Sequence, residues 1–411
     1  MDRLEKIFES YVNNNLFRDK SVLQANYIPE AILHRGEQIE GIASILAPAL
    51  KGQKVSNLFL YGRTGSGKTV SVQHVGERIS EKIKKMGGEH LKFIYLNCKM
   101  KKVADTEYRI IAELIHLMGG KIAATGLPTD VVYSKFVEMI DDKRQIIILV
   151  LDEIDQAVKK ISDNFIYTLT RMNSELKNAQ ISLAGISNSL TFMDNLDPRV
   201  RSSLGEEEIV FPPYNALQLQ DILRERAERA FEKSTLDDGV IAKCAAYAAR
   251  EHGDARRALD LLRVAGELAE REGVKKIKLT HIDQANEKIE RDKMLDVIES
   301  VPTQFQLVLG AIMRLEEGRE KRKKKEVMVD DRIFTGDVFN AYQEICEVTK
   351  NDILTQRRVS DILAEFDMLG IINTQVISKG RQGRTREIKL MLAPGIRDKA
   401  REILVKGLRG T

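Results

Sequence analysis

Asn57-Leu-Phe-Leu-Tyr-Gly-Arg-Thr-Gly-Ser-Gly-Lys-Thr-Val70 joins a short apolar run to a glycine-rich turn and then to a helix-forming stretch. Leu58 to Tyr61 is typical of a buried strand, and Thr69 to Lys85 is typical of a helix. The pattern G-x-x-x-x-G-K-[ST] also occurs by chance in loops that contain glycine, but the strand before it and the helix after it are the setting that the motif requires. The stretch therefore predicts a P-loop, which is a backbone cradle for nucleotide phosphates.

The P-loop sequence assigns roles to several residues. Its glycines let successive N–H groups point inward around an anion, which then lies at a helix N-terminus. Lys68 is predicted to reach the β- and γ-phosphates, and Thr69 is predicted to ligate Mg2+. We therefore expect ATP or ADP with Mg2+ at this site. The predicted nucleotide-binding residues of the turn are Gly62, Arg63, Thr64, Gly65, Ser66, Gly67, Lys68, Thr69 and Val70.

Length and composition indicate a multidomain globular protein. A chain of 411 residues exceeds one ordinary core, which predicts about two to four domains. With 43% hydrophobic and 31% charged residues, many of them helix formers, we expect a mostly helical chain. The residues before Ser21 lack a secretory signal, and no apolar stretch is long enough to span a bilayer, so a cytoplasmic location, or a nuclear one in a eukaryote, is predicted. The three cysteines lie far apart, which argues against a zinc site or a disulfide framework.

A second motif supplies the acids that ATP hydrolysis needs. Gln145 to Leu151 is an unbroken β-branched and leucine run, as in a central parallel strand that is buried on both faces. Asp152 at its end is predicted to hold Mg2+, and Glu153 is predicted to polarise a water toward the γ-phosphate. Two acids after a strand would by themselves indicate a solvated loop. After a P-loop they predict a Walker B motif and a hydrolytic site.

Three further polar residues extend this catalytic group. Asn188 follows another strand-like run and is predicted to orient water near the γ-phosphate, as a sensor 1 residue. Arg199 and Arg201 lie in a segment that leads to a strand at Glu208 to Phe211. An arginine here is predicted to act as a finger on the nucleotide of a neighbouring subunit.

A helical region follows the predicted α/β core. From Tyr214 to about Glu290 the pattern is wholly helical and predicts a small lid domain. Arg256 lies in the first turn of a predicted helix, where a lid could bring it to the phosphates, although an ordinary surface arginine is the alternative. Near the N-terminus, Tyr27 and Ile28 could press on an adenine ring, although such residues usually belong to a core.

The C-terminal residues predict a winged helix. Three helical stretches precede two strand-like runs, Ile371 to Ser378 and Arg386 to Leu392. The turn between the runs is basic and glycine-rich, in a chain whose net charge is only +4. Winged helices also serve in protein contacts, and a basic hairpin can be a solvated surface, but a coherent basic face favours duplex DNA. The predicted DNA-binding residues are Thr355, Gln356, Arg357, Arg358, Ser360, Lys379, Arg381, Arg384 and Arg386.

The order of these motifs resembles the archaeal origin-recognition AAA+ initiators, relatives of the eukaryotic origin recognition complex and its helicase-loading partner. Tyr27 to Pro29 and His34 to Glu37 also resemble the N-terminal adenine-side box of this family. The resemblance covers nearly the whole chain and is carried by the P-loop, Asp152-Glu153-Ile154-Asp155, Asn188, Asp197-Pro198-Arg199-Val200-Arg201, Gly253-Asp254-Ala255-Arg256 and the winged helix.

The resemblance implies an α/β P-loop AAA+ core, built as a parallel sheet with flanking helices, then a small all-α lid domain and a C-terminal winged-helix domain. We place these domains at residues 1–212, 213–295 and 296–411. It also implies that Arg256 is the sensor 2 residue and that a helical insertion at about Lys99 to Pro128 touches DNA.

The function implied by the resemblance is that of a weak ATPase that binds duplex origin DNA and initiates chromosomal replication. Slow Mg2+-dependent hydrolysis would act as a switch, and the protein would help recruit or load the replicative helicase. Other copies or paralogues on DNA are expected partners, and the location would be cytoplasmic and nucleoid-associated. Arg199 and Arg201 both lie where the family places its finger, and the sequence does not choose between them.

Two other functions share part of this pattern. A nucleotide-switched transcription regulator also pairs a P-loop with a winged helix, but the Gly253 to Leu259 box and the lack of an evident sensor domain favour an initiator. A clamp-loader-like AAA+ ATPase is disfavoured by the terminal winged helix.

Overall fold

The computed structural model describes residues 16–25, 27–99, 105–123, 126–323, 332–378 and 384–409. The chain forms two compact units, Met1–Ala285 and Asn286–Thr411. The boundary predicted between residues 212 and 213 falls inside the first unit, where the chain passes from the sheet to the lid helices. The boundary predicted between residues 295 and 296 falls inside the helix Leu279–Ser300. The division into three domains therefore stays a prediction.

A five-stranded parallel sheet forms the centre of the first unit, in the order β2-β3-β4-β1-β5. Every residue of β3 is buried, as its unbroken Ile, Leu and Val run requires. Since the strands are parallel, the carboxyl ends of β1, β3 and β4 meet at one edge, where open α/β sheets bind ligands. The strands are β1 (Asn57–Gly62), β2 (Leu91–Asn97), β3 (Gln145–Asp152), β4 (Ala179–Ser187) and β5 (Glu206–Phe211).

Helices cover both faces of this sheet. Successive side chains of β3 point to opposite faces, so Ile147 and Leu149 belong to one apolar core while Ile146 and Ile148 belong to the other. This confirms the predicted α/β core with a parallel sheet and flanking helices. The helices are α1 (Gly36–Leu46), α2 (Lys68–Lys85), α3 (Glu107–Leu117), α4 (Thr129–Ile140), α5 (Ile154–Ile161), α6 (Asn164–Met172) and α7 (Pro198–Leu204).

The lid follows β5 and is helical, as predicted. Its helices are α8 (Ala216–Ala230), α9 (Val240–Arg250), α10 (Ala255–Arg271) and the first part of α11 (Leu279–Ser300). Asn215 and Gln218 form a capping box that begins α8. The Asp254 side chain caps α10 by accepting from the backbone N–H groups of Arg256 and Arg257.

Residues 16–18, near the start of the described chain, contact the lid. Phe17 stacks on Phe231 with ring centroids 4.6 Å apart, and the Arg18 N–H donates to the Ala230 carbonyl at 2.8 Å. The Glu232 N–H donates to the Leu16 carbonyl at 3.0 Å. The segment therefore adds to the lid, although it lies far before α8 in sequence.

The second unit is a winged helix, as predicted. Its sheet is antiparallel in the order β6-β8-β7, and its helices pack over a core that includes Leu307, Tyr342 and Phe366. Strand β8 begins two residues earlier than the predicted run, and the final helix was not predicted from the sequence. The elements are α12 (Thr303–Lys323), β6 (Ile333–Phe334), α13 (Thr335–Thr349), α14 (Gln356–Met368), β7 (Ile372–Ser378), β8 (Arg384–Leu390) and α15 (Pro394–Arg409).

Across the described parts of both units, no helix combines the length and the apolar character needed to cross a membrane.

Candidate functional site

A cavity of about 420 Å³ opens where the carboxyl edge of the sheet, the P-loop and the lid meet. Its size suits a bound nucleotide, since small-molecule sites are clefts of roughly 300–1,000 Å³. Motifs that are far apart in sequence therefore line one site. The predicted residues that line the cavity are Tyr27, Ile28, Thr64, Gly65, Ser66, Gly67, Lys68, Thr69, Val70, Asp152, Glu153, Asn188 and Arg256.

Lys68 lies buried at the start of α2. Its ammonium donates to the carbonyls of Gly62 at 2.6 Å and Arg63 at 3.0 Å, and to Asn188 Oδ1 at 3.0 Å. Burial lowers the pKa of Lys68 to about 8, and the charge of Asp152 opposes that shift. All three acceptors are neutral, so an anionic phosphate oxygen would be a stronger partner for this ammonium.

The residues predicted to bind Mg2+ are in direct contact. The Thr69 hydroxyl donates to Asp152 Oδ2 at 2.8 Å, across the space between α2 and β3. The Tyr95 hydroxyl, on the neighbouring strand β2, donates to the same oxygen at 2.7 Å. A hydroxyl and a carboxylate at the mouth of a phosphate cradle are the hard oxygen ligands that Mg2+ takes. The chemistry of these residues therefore fits the metal.

Glu153 occupies the turn between β3 and α5. Its backbone φ is +54°, a left-handed conformation that is uncommon outside glycine, and its N–H donates to Asp152 Oδ1 at 2.9 Å. Its carboxylate is 18% exposed and lies 3.6 Å from the ammonium of Lys99. This conformation lets Asp152 and Glu153 both line the cavity, as metal binding and water activation would require.

The buried carboxylate of Asp155 holds the backbone and side chains next to Asn188 in place. Asp155 accepts from the Ser187 hydroxyl at 3.2 Å and from the Asn188 N–H at 3.5 Å. Asn188 presents its amide oxygen to Lys68 in this arrangement, and its role as sensor 1 stays a prediction.

The P-loop contacts the first turn of lid helix α10. Gly65 has φ of +72°, and a Cβ atom there would lie 1.8 Å from Asp254 Oδ1, so no other residue fits. The Gly65 carbonyl accepts from the Ala255 N–H at 3.2 Å. Arg256, the next residue, is exposed and lines the cavity. The lid therefore brings the predicted sensor 2 residue to the phosphate cradle.

The opposite end of the cavity is apolar and suits a nucleobase. Ile28 is 41% exposed, although it lines the cavity beside Pro29 and Ile32. The guanidinium of Arg226 on α8 lies 4.4 Å from the centroid of the Tyr27 ring. The lid and the segment that carries Tyr27 are therefore in contact here as well.

Sequence reasoning missed several residues that line or support this cavity. Tyr95, Arg35, Tyr214 and Arg226 contact predicted residues only because the fold brings distant segments together. Arg35 lies in the stretch His34 to Glu37, whose resemblance to the family's N-terminal box was the signal that could have identified it. The other three lie outside the stretches that the motifs single out.

The two finger candidates lie outside this cavity, on α7. Arg199 is 85% exposed and pairs with Asp197 at 3.1 Å, while Arg201 is 53% exposed and lies 3.4 Å from Asp194. Neither lines the nucleotide cavity of its own chain. Their exposure suits action on a neighbouring subunit.

The winged helix exposes a polar and basic helix start. The Thr355 hydroxyl caps α14 by accepting from the Arg358 N–H, and Gln356, Arg357 and Arg358 are all exposed. The Ser360 hydroxyl is half-buried and donates to the Gln356 carbonyl at 3.0 Å.

Among the predicted wing residues, Arg386 is the one whose side chain the structure describes. Arg386 is half-buried and lies on the same face of β8 as the core residue Ile388, because side chains alternate along a strand. Lys379 and Arg381 lie outside the described residues. Arg384 begins β8, but its side chain lies outside them too. The predicted insertion at about Lys99 to Pro128 contains α3, and residues 100–104 and 124–125 within it are not described.

Three domain families match successive parts of the chain. Residues 53–193 match an AAA domain, residues 220–287 match the Cdc6 AAA+ ATPase-type lid domain, and residues 296–400 match the C-terminal winged helix domain of CDC6. Their order is that of the α/β core, the lid and the second unit.

Curated relatives match along almost the full length. The chain is 50% identical over 396 residues to an ORC1-type DNA replication protein of Thermococcus onnurineus, covering 95% of this chain and 92% of the relative. It is 45% identical over 408 residues to ORC1-type DNA replication protein 1 of Methanosarcina mazei, covering 99% and 94%.

A solved structure agrees with these relatives. The Aeropyrum pernix ORC1 protein, solved in complex with DNA, superposes with a TM-score of 0.80 at 43% identity, over 94% of this chain and 96% of that chain. Cdc6p of Pyrobaculum aerophilum shares the fold at 22% identity, with a TM-score of 0.58. The chain therefore belongs to the ORC1-type DNA replication proteins, which are replication initiators built on an AAA+ ATPase.

Proposed function

We propose that this protein is an ATP-switched initiator that binds duplex origin DNA through its winged helix and helps recruit the replicative helicase. One observation carries the DNA-binding part: the exposed start of α14 presents Gln356, Arg357 and Arg358 in a chain that is 43% identical to an ORC1 protein solved with DNA. Polar and basic residues at the start of such a helix are those that contact base edges and phosphates.

The ATPase part of the proposal assigns the residues around the cavity. Lys68 would hold the β- and γ-phosphates, and Thr69 and Asp152 would hold Mg2+. When bound, Mg2+ would neutralise charge on the phosphates. Glu153 would orient and deprotonate the attacking water, and Asn188 would fix that water relative to the γ-phosphate. Arg256 would sense the γ-phosphate from the lid.

Slow turnover follows from the position of the finger candidates. Arg199 and Arg201 are absent from the cavity of their own chain, so we infer that a second copy or a paralogue on DNA supplies the finger. Nucleotide would then persist on an isolated chain, which makes ATP suitable as a switch for helicase recruitment.

The test is footprinting of the ATP-loaded protein on intergenic fragments of its own genome, at a fixed physiological salt concentration. Protection of a few discrete sites, lost in Lys68→Ala, supports the proposal. Uniform or absent protection would instead indicate a protein-directed AAA+ switch. Salt must be fixed because each phosphate contact makes affinity fall with ionic strength.

Variants of the winged helix locate the interface. Arg357→Ala with Arg358→Ala should weaken binding and flatten the slope of log affinity against log salt by about two, since each lost phosphate contact removes about one unit. Arg384→Ala should act in the same direction. The control is Lys84→Ala, because Lys84 is an exposed base near the end of α2, outside the winged-helix unit, and should leave the slope unchanged. An unchanged slope in the arginine variants would exclude this face from the interface.

A further inference from the structure

Arg35 is buried at the junction of the P-loop, the sheet and the lid. It is only 2% exposed, and it stands directly before α1. In the part of the chain that the structure describes, no carboxylate pairs with its guanidinium. Burying a charge without a counter-ion is costly unless hydrogen bonds compensate it, so the contacts that Arg35 does make are informative.

Those contacts connect three separate segments. The Arg35 Nε–H donates to the Ser66 carbonyl of the P-loop at 2.8 Å. One terminal nitrogen donates to the Pro212 carbonyl, directly after β5, at 2.6 Å, and the other donates to the His34 carbonyl at 2.9 Å. A planar guanidinium can hold several acceptors in fixed directions, which the ammonium of lysine cannot do.

Arg35 also stacks on the first residue of the passage into the lid. Its guanidinium carbon lies 3.7 Å from the centroid of the Tyr214 ring. A Cβ atom on Gly67 would lie 2.8 Å from the Tyr214 hydroxyl and 3.6 Å from Arg35 Nε, so both side chains pack directly on the P-loop backbone. The preceding residue, His34, has φ of +58°, a strained conformation that the surrounding contacts hold in place.

The connection continues from Tyr214 to the sensor 2 helix. The Tyr214 N–H donates to the Gly253 carbonyl at 3.3 Å, and a Cβ atom on Gly253 would lie 2.3 Å from the Tyr214 carbonyl. Gly253 directly precedes the Asp254 cap of α10, whose first turn carries Arg256. A contiguous path of contacts thus runs from Ser66 through Arg35 and Tyr214 to Arg256.

We propose that Arg35 is a positioning residue that couples the P-loop to the lid, so that nucleotide held at the P-loop sets the position of Arg256. This inference rests on the proposed ATP switch. The P-loop must present its N–H groups to phosphate, and Arg35 holds the Ser66 carbonyl on the other side of that backbone. A shift of the P-loop on binding is then transmitted to Pro212 and Tyr214, where the lid begins.

The experiment is amide hydrogen exchange on the full-length protein, with and without saturating ATP. In the wild type, ATP should slow exchange in the P-loop, residues 62–69, and also in the hinge segments, residues 214–216 and 251–257. In Arg35→Lys, the P-loop should keep its ATP-induced protection while both hinge segments lose theirs. Exchange in β3, which does not contact Arg35, reports whether the variant is folded.

Tyr214→Leu tests the same path of contacts from the lid side. If Arg35→Lys does not fold, this second variant tests whether the P-loop and the lid are coupled through Arg35. This variant removes the stacked ring but keeps the Arg35 contact with Ser66, and it should also lose hinge protection. The matched control is Arg171→Lys, because Arg171 also stacks on a tyrosine, with its guanidinium carbon 5.2 Å from the centroid of the Tyr167 ring, but does not line the nucleotide cavity. At saturating ATP it should keep the hinge protection.

The outcomes separate the two proposals. Hinge protection that persists at the wild-type level in Arg35→Lys or in folded Tyr214→Leu overturns the role of Arg35. A wild-type protein that binds ATP without any hinge protection overturns both the coupling through Arg35 and the proposed switch.

Discussion

At the scale of single residues, Lys68 and Glu153 have separable tasks. The Lys68 ammonium already holds three oxygen acceptors, so its removal leaves both the phosphates and the P-loop carbonyls without a donor. A hydrogen bond to a charged group contributes roughly 1.5–3 kcal/mol, and Lys68 offers several. Lys68→Ala should therefore abolish ATP binding, whereas Glu153→Gln should bind ATP and fail to hydrolyse it. Calorimetric titration with ATP and a turnover assay check both, and an equal loss of binding in the two variants would contradict the assignment.

Tyr95 makes a second residue-level prediction. Its hydroxyl orients Asp152 through a 2.7 Å hydrogen bond to the oxygen that also accepts from Thr69. Tyr95→Phe removes only that donor, which is worth roughly 0.5–1.5 kcal/mol. The Mg2+ concentration needed for half-maximal hydrolysis should rise about twofold to tenfold.

For Tyr95→Phe, the affinity for ATP measured without Mg2+ is the control. Because the Tyr95 hydroxyl donates to Asp152 and not to the residues of the P-loop, ATP affinity in a metal chelator should stay at the wild-type value. Parallel loss of affinity with and without Mg2+ would show that Tyr95 supports the fold of the cavity and not the carboxylate.

These residues also show what the sequence could and could not predict. Lys68, Thr69 and Asp152 were predicted because motif spacing alone places them at strand ends and a helix start. Tyr95 looked like any residue of an alternating strand, since its partner lies 57 positions away. Arg35 carries a lone charge whose three acceptors are backbone carbonyls, and backbone acceptors leave no mark in a sequence.

At the scale of elements, the contact between the P-loop and lid helix α10 predicts a strict need for glycine at position 65. Gly65→Ala must place a methyl group against Asp254 and hold φ of +72°, which strains the backbone by about 1–3 kcal/mol. The variant should weaken ATP binding as well as lower stability, because relief of the clash displaces α10 and Arg256.

The control for this prediction is Gly87→Ala in the turn after α2. Gly87 has φ of +76°, but a Cβ atom there would meet nothing within 4 Å. Gly87→Ala should lose a similar amount of stability, because its backbone is also strained, and should keep the wild-type affinity for ATP. Thermal unfolding and nucleotide titration of both variants make the comparison, and equal ATP affinity in the two would rule out the lid contact as the cause.

The ends of the helices and strands were predicted with unequal success, because the sequence marks some of them clearly and others not at all. Strand β3 coincides with the predicted run because its apolar residues are unbroken, and the lid is helical as its apolar periodicity predicted. Helix α11 extends to Ser300, beyond the end of the predicted helical region at about Glu290, because no glycine or proline interrupts its sequence. Strand β8 begins at Arg384 because pairing with β7 extends it toward the wing, and Ser378 lies opposite Arg384 in that register.

At the scale of the whole molecule, the exposed arginines on α7 predict that ATP turnover requires a second chain. Arg199 and Arg201 are solvent-exposed and do not line the cavity that holds Lys68 and Glu153. Since the loss of an arginine finger can cost about 10³ to 10⁵ in rate, a dilute chain should hydrolyse ATP very slowly. Turnover per chain should rise with protein concentration and on DNA that assembles several copies.

Mixing two inactive variants tests this requirement directly. Lys68→Ala chains cannot hold ATP but still carry both arginines, whereas chains with Arg199→Ala and Arg201→Ala hold ATP but carry neither. If the finger acts between chains, the mixture should recover turnover that neither variant shows alone, and repeating the experiment with each single arginine variant identifies the finger. A finger that acts within one chain would give no recovery, and rapid turnover by the dilute wild type would contradict the requirement altogether.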